Sequence, residues 1–508
     1  MAGEVDEGGP ATGGLLGWVE RAGNRLPDPA TIFVGFCALT MVVSWLAARL
    51  GVAVVHPVTG KTVVAVDLLS ADGLRTVLSG LVTNFTSFAP LGTVLTVMLG
   101  IGVAERTGLL AAALKASLVG VPRWAVTPAV FFAGMTSHIA ADAGYVVLIP
   151  LAALLYASLG RHPLAGVAAM FAAVAGGYAA NLFLGAIDPM LAGMTQEAAR
   201  LMNPTYTVLA TANYYFLSAS VVLLIGVGWF ISDRIVEPRL GPWRPTGDVP
   251  VLTALSPLER RGLRAAGIAV LVTAVGVAVL TIPAGAPLRD PASGDLKPFW
   301  ASLVGLLMIL FVMPGIAFGI VTGSLRSDRD AVRMMGEAMA TMGPYIVLAF
   351  FAGQFVAWFR QSELGLILAI RGADALRAIH LDGAPLMVGF MALSALIDLF
   401  VASASAKWAV MGPVFVPMLM ALGWSPEVTQ ALYRVGDSVM NCVTPLNPYF
   451  PIVIVAVRRY APETRLGTLL AAMLPYSIGF GIAWCAFIVL WVTAGLPPGP
   501  NAPLHYPP

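Results

Sequence analysis

The sequence predicts an all-α polytopic membrane protein: nine transmembrane helices plus two re-entrant helical hairpins, set in inverted repeats with broken helices. Three observations carry that prediction. The composition is too apolar for water, the apolar stretches have bilayer length with two of them split, and a pair of motifs recurs in the same order in both halves.

Charged residues make up 11% of the 508 residues and hydrophobic ones 58%, and mean hydropathy is +0.84. Soluble domains carry about 25% charged residues, so lipid must be one of the solvents. A net charge of +2 on so long a chain argues against nucleic acid as a partner. Cys37, Cys442 and Cys485 lie in apolar runs without CxxC spacing, which suits buried thiols and no disulfide framework. Residues 1–29 are polar, Gly-rich and net acidic, and read as a cytoplasmic tail. The apolar run after them is too long for a signal-peptide core, and is expected to remain as the first span.

Hydropathy places spans at 30–52, 88–112, 164–188, 211–233, 263–283, 298–323, 344–368, 427–455 and 467–495. Two more stretches, 124–159 and 385–422, are too long for one span and are split by small polar residues. The splits are Met135 to Gly144, with Ser137, His138 and Asp142, and Ser403 to Lys407. Each reads as a hairpin that enters and leaves by one side, its irregular tip buried in protein or facing water. Arg360, Glu363 and Arg371 read as charges at the membrane boundary. With the N-terminus cytoplasmic, 18 of the 29 Lys and Arg fall inside, 9 outside and 2 (Lys407 and Arg434) within the membrane. That bias is the positive-inside pattern; it puts the C-terminus outside and makes the hairpins enter from opposite faces.

Both split stretches continue alike: Val146 to Leu151 (VVLIPL) follows the first tip, and Pro413 to Met418 (PVFVPM) the second. About 30 residues on, Asn181 and Asp188-Pro189 in the first half match Asn441 and Asn447-Pro448 in the second. The halves are 30–262, with hairpin 124–159 and broken helix 164–190, and 263–496, with hairpin 385–422 and broken helix 427–455; residues 497–508 form a tail. Proline has no N–H to donate and displaces the residue before it from helical geometry. The freed carbonyls and half-helix ends can meet cations or substrate carboxylates.

A charge at the centre of a membrane helix costs about 2.5–3.5 kcal/mol on insertion scales, so Asp142, Asp188, Asp398, Lys407, Arg434 and Asp437 each need a reason. Arg434 and Asp437, at i and i+3, share a helix face; they read either as a self-neutralising pair or as an anion receptor beside a cation-binding carboxylate. Asp188 is a turn former or a ligand. Lys407 is expected to snorkel, Trp408 to anchor or to stack on a substrate ring, and His138 to hydrogen-bond in neutral form or to sense pH. Asn441, Asn447, Asp437 and Ser405 offer oxygens for a sodium ion, with Ser137 and Asn181 as a weaker second set.

Four passages, Ser137 to Pro150 (SHIAADAGYVVLIP), Gly185 to Met190 (GAIDPM), Ser405 to Pro413 (SAKWAVMGP) and Leu432 to Pro448 (LYRVGDSVMNCVTPLNP), give a chain that resembles the AbgT family of p-aminobenzoyl-glutamate transporters over about residues 14–496. The resemblance implies a homodimer in the bacterial inner membrane, moving aromatic carboxylates with sodium or proton coupling and no tightly bound cofactor, and exporting sulfonamide antimetabolites. Family residues map onto Asp188, Ser405, Trp408, Pro426, Arg434, Asp437 and Pro445. Ser137-His138 departs from the family's Ser-Asn, and imidazole is a poor sodium ligand. A dicarboxylate carrier of the same architecture is the alternative. No HExxH, GxSxG, GxGD or Walker A pattern supports an enzyme or an ATP-driven pump, and no repeated filter element supports a channel.

Overall fold

The computed structural model describes residues 29–55, 61–118, 121–140, 144–185, 187–243, 255–398, 403–444, 447, 449, 453, 456–458 and 466–506. Helix α1 (Pro29–Arg49) leads to a two-stranded antiparallel ribbon, β1 (Ala53–Val55) with β2 (Thr62–Val64), in which Ala53 faces Val64. Then come α2 (Ala71–Thr86), α3 (Ala89–Arg106), α4 (Leu109–Leu118), α5 (Val126–Thr136), α6 (Ile149–Ser158), α7 (Pro163–Phe171), α8 (Ile187–Ala199) and α9 (Tyr214–Ile231). The rest is α10 (Pro257–Thr281), α11 (Lys297–Thr322), α12 (Asp328–Thr341), α13 (Gly343–Gln361), α14 (Leu364–Ala378), α15 (Gly383–Asp398), α16 (Ala404–Ala421), α17 (Pro426–Met440) and α18 (Leu466–Thr493).

Seven segments of the described chain are long and apolar enough to cross a bilayer, and eight if α12 and α13, bent by 51°, count as one. Helix α10 shows which solvent they meet: Ile268, Leu271, Val272 and Val279 are each more than 60% exposed. A Leu or Ile left in water forfeits about 1.5–3 kcal/mol relative to burial, so a continuous face of them requires lipid. The chain is a multi-pass membrane protein. Local chemistry sets the helix ends. Ser256 and Glu259 form a reciprocal capping box at the start of α10, and α11 stops where Gly323 takes φ +78°.

The two largest packing clusters are one of α3, α4, α10 and α11 and a larger one that includes α5–α9 and α13–α18. In the large cluster both split stretches carry a helix on each arm, while residues 141–143 and 399–402 between the arms lie outside the described residues. The first is α5, a 3-10 turn over Ser137–Ala140, a π turn over Gly144–Leu148, and α6. The second is α15 and α16, with Ser403 as N-cap of α16, its hydroxyl accepting from the Ala406 N–H at 3.3 Å. Ser405 and Lys407 therefore belong to the first turn of the helical arm and not to an irregular tip.

Four expectations need correction. The span 88–112 is interrupted at Gly108 (φ +88°), where α3 gives way to α4. The span 344–368 is two helices, α13 and α14, meeting at Glu363 in left-handed conformation (φ +60°). The span 164–188 loses helical structure after a π turn over Ala172–Gly176, twelve residues before Asp188 of the Asp-Pro expected to break it. Pro189 instead sits in the first turn of α8, where a missing N–H costs little. The break falls at Gly176-Gly177, and a Cβ on Gly177 would lie 2.8 Å from Cγ of Met135. Finally, α2 went unassigned because Asp72, Arg75, Thr76 and Asn84 dilute its hydropathy.

Candidate functional site

Helix α17 organises the site. Its N-terminus is fixed by Ser425, which accepts from the Val428 N–H at 3.1 Å, and by Pro426 at the first helical position. Glu427 follows, complementing the helix dipole and receiving the Tyr206 hydroxyl at 2.9 Å. Every residue from Pro426 to Val439 is buried, including Glu427, Thr429, Gln430, Arg434, Asp437 and Ser438. So many polar groups on one enclosed helix need partners, and α8, α15, α16 and the end of α7 supply them. Gly436 permits this enclosure, because a Cβ there would collide with the Met391 carbonyl of α15. Pro426 lies eight residues from Arg434, about 12 Å along the axis; it positions the helix and stands away from the charges.

Arg434 and Asp437 do not pair with each other. Arg434 Nη1 stands 2.8 Å from Asp188 Oδ1 in an ion pair whose two side chains are 4% and 1% exposed. Asp188 Oδ2 accepts from the Gly185 N–H (2.8 Å) and from Asn181 Nδ2 (3.3 Å), so it is both a turn former and an ion-pair partner. Nε and Nη2 of Arg434 are buried without a hydrogen-bond partner. Those two N–H groups form one edge of the guanidinium fork, the edge that grips a carboxylate bidentately. Asp437 joins a second cluster: its Oδ1 lies 2.6 Å from Lys407 Nζ and 3.0 Å from the Tyr433 hydroxyl. Lys407 also pairs with Asp398 at the end of α15, whose Oδ2 has no partner.

Lys407 thus does not snorkel. Its side chain is fully enclosed, because two carboxylates from neighbouring segments hold the ammonium where it is. Trp408 is equally enclosed. Its ring stacks on Tyr433 at 4.4 Å and its Nε1 donates to Thr195 Oγ1 at 2.9 Å, so one face is already covered by protein. Thr195 also accepts from Gln430 Nε2 at 2.9 Å. Thr195, Gln430 and Tyr433 escaped the sequence reading, although Gln430 and Tyr433 stand four residues before Arg434 and Asp437 on the same helix faces.

The two helix breaks meet. The Ala179 N–H donates to Ser438 Oγ at 3.1 Å, and Gly176 gives room to the Cys442 thiol. Within the second break Asn447 Nδ2 donates to the Asn441 carbonyl at 3.1 Å, while its Oδ1 accepts from the Tyr449 N–H at 3.0 Å. Within the first, Asn181 Oδ1 is buried and unpartnered. Ser405 is 3.4 Å from Ser403 Oγ, and Ser137 donates to the Gly134 carbonyl at 2.6 Å. His138 is buried edge-on to Tyr178, its Nε2 unpartnered. The structure therefore joins Asn181 with Asp188 and Asn441 with Asn447, and ties Asp437 to Lys407. Asp142, Pro445 and Pro448 lie outside the described residues. Among the described residues no group of three His, Cys, Asp or Glu side chains is disposed to hold a metal ion.

Chemically the core is a buried polar crossing in which Asp188, Asp398 and Asp437 face Lys407 and Arg434, with one guanidinium edge unpartnered. Comparison with known proteins gives it a context. The chain is 38% identical to the p-aminobenzoyl-glutamate transport protein of Escherichia coli (strain K12) over 492 residues, 96% of this chain and 97% of that protein. Among solved structures it resembles the YdaH transporter of Alcanivorax borkumensis (45% identity, TM-score 0.90, covering 93% of this chain and 100% of that one). It also resembles MtrF of Neisseria gonorrhoeae, described as illuminating a class of antimetabolite efflux pumps (45% identity, TM-score 0.91, 96% and 100%). The model of the AbgT transporter family matches residues 14–506, and the chain belongs to that family.

Proposed function

We propose that this protein is an ion-coupled secondary transporter of p-aminobenzoyl-glutamate or related aromatic carboxylates, and that sulfonamide antimetabolites are among the compounds it exports. One observation carries the reading: Arg434, enclosed where two broken helices cross, keeps the Nε–Nη2 edge of its guanidinium unpartnered. A buried donor edge costs free energy unless something occupies it, and a carboxylate fits it in shape and charge. The charge balance of the core supports ion coupling. Asp188, Asp398 and Asp437 against Lys407 and Arg434 leave the core one negative charge in excess. Entry of an anion enlarges that excess, which favours a proton or sodium ion that binds with it. Oxygens of Ser405, Asn441 and Asn447 serve the cation, with Asp437 acting on it by charge from its pair with Lys407, and Ser137 and Asn181 as a second set.

The architecture that belongs to this reading has nine spans and two oppositely entering hairpins in inverted halves. It is a homodimer in the bacterial inner membrane, N-terminus inside and C-terminus outside. Enclosure of Trp408 by Tyr433 and Thr195 favours keeping a second reading in view, a dicarboxylate carrier with no ring platform at this place. Binding of labelled p-aminobenzoyl-glutamate to purified protein tests the assignment. Arg434→Lys keeps the charge and loses the fork, and should weaken binding at least about tenfold. Unchanged affinity in that variant removes Arg434 from the site, and displacement of the label by simple dicarboxylates alone favours the second reading.

A further inference from the structure

We infer that Lys407 is a tethered cation that fills an alkali-ion position between Asp398 and Asp437 and so closes the second split stretch onto α17 without a free ion there. The inference rests on reading this core as the translocation site. The ammonium comes from the first turn of α16, Asp398 ends α15, and Asp437 lies on α17, so a single positive charge joins three elements. All three side chains are at most 3% exposed. On its other side the lysine stem lines an apolar cavity of about 120 Å³ with Ile32, Phe33 and Phe36 of α1 and Ile397 of α15, which offers the ammonium no polar partner.

Two carboxylate oxygens hold Nζ, and further hard oxygens adjoin them. Asp398 contributes Oδ1 and an Oδ2 that is buried with no partner, and Asp437 contributes Oδ1. The Tyr433 hydroxyl lies 3.0 Å from Asp437 Oδ1 and 2.5 Å from the Ala404 carbonyl, and shares its one hydrogen between them. Two carboxylates, a hydroxyl and a carbonyl are ligands that sodium takes readily. Two buried carboxylates of like charge cannot stand together without a cation between them. A lysine in that position makes the closure permanent in charge and independent of the sodium concentration. It leaves the Asn441 and Asn447 break, or one further charge on the triad, to answer to the gradient.

The test is thermal melting of the purified full-length protein, titrated with sodium chloride against choline chloride at constant ionic strength. Lys407→Gln should acquire a saturable, sodium-dependent rise in melting temperature beyond any rise in the wild type. Adding Asp398→Asn should abolish the gain, and Lys407→Arg should behave as wild type. Should Lys407→Gln fold only when prepared in sodium, the same conclusion holds. The inference is overturned if the folded Lys407→Gln variant shows no gain. It is overturned equally if that variant folds in neither salt while Lys407→Gln/Asp398→Asn folds in both, since charge balance alone then matters. Binding of p-aminobenzoyl-glutamate to the wild type, measured in parallel, reports on the transport reading separately: its absence removes the substrate and leaves the cation result standing.

Discussion

Asp188→Ala removes the one anion that Arg434 touches among the described residues. The pair is 2.8 Å apart with both side chains at most 4% exposed, so water cannot replace the lost carboxylate. Breaking a buried pair by deleting one partner costs about 3–5 kcal/mol, because a charge remains buried and uncompensated. The upper part of that range applies here, since the Gly185 N–H loses its acceptor in the same step. The variant should therefore melt well below wild type in detergent, followed by tryptophan fluorescence. Two controls separate a paired charge from a simple packing defect. Asp188→Ala/Arg434→Met should regain most of the loss, because it removes the stranded guanidinium. Addition of p-aminobenzoyl-glutamate should raise the melting temperature of Asp188→Ala more than that of wild type, since its carboxylate supplies the missing anion. A single variant within about 0.5 kcal/mol of wild type, the range of ordinary surface changes, would refute the pairing, as would a double variant whose loss is the sum of the single losses.

Two further outcomes follow from the same geometry. Asp437→Asn leaves Lys407 its Asp398 partner, so the protein should fold and still exchange substrate, while gradient-driven uptake falls to the passive level; uptake at the wild-type rate in proteoliposomes would remove Asp437 from coupling. Gly436→Ala forces a methyl group against the Met391 carbonyl, and overpacking of this kind costs about 1–3 kcal/mol; a melting curve that matches wild type would mean that α15 and α17 are not held together at this point.

Much of this was legible in the sequence and some was not, for physical reasons that differ by residue. The split stretches were readable because Ser, His, Asp and Gly interrupt apolar runs that are too long for one span, and both carry a helix on each arm. Broken helices were foreseen in kind. Their positions were misread because Asp-Pro and Asn-Pro look like breakers, whereas Gly176-Gly177 ends the first helix, Pro189 is tolerated in a first turn, and the second helix already ends at Met440. Arg434 and Asp437 were correctly placed on one helix, but spacing fixes a face and not a partner. Their partners come from α8 and α16, far away in sequence. Lys407 was misjudged for the same reason: a local window contains neither Asp437 nor the closeness of Asp398. Trp408 looked available because its covers, Tyr433 and Thr195, belong to other helices.

The central claim is that this buried polar crossing moves an aromatic carboxylate at the expense of an ion gradient, and counterflow in proteoliposomes tests it most directly. Vesicles containing the wild-type protein and preloaded with unlabelled p-aminobenzoyl-glutamate should transiently accumulate the labelled compound. Arg434→Lys vesicles should not. Imposing a sodium or a proton gradient separately should drive net movement with one of the two ions. Counterflow that is absent in wild type, or equal in wild type and Arg434→Lys, or net movement indifferent to both gradients, would contradict the account.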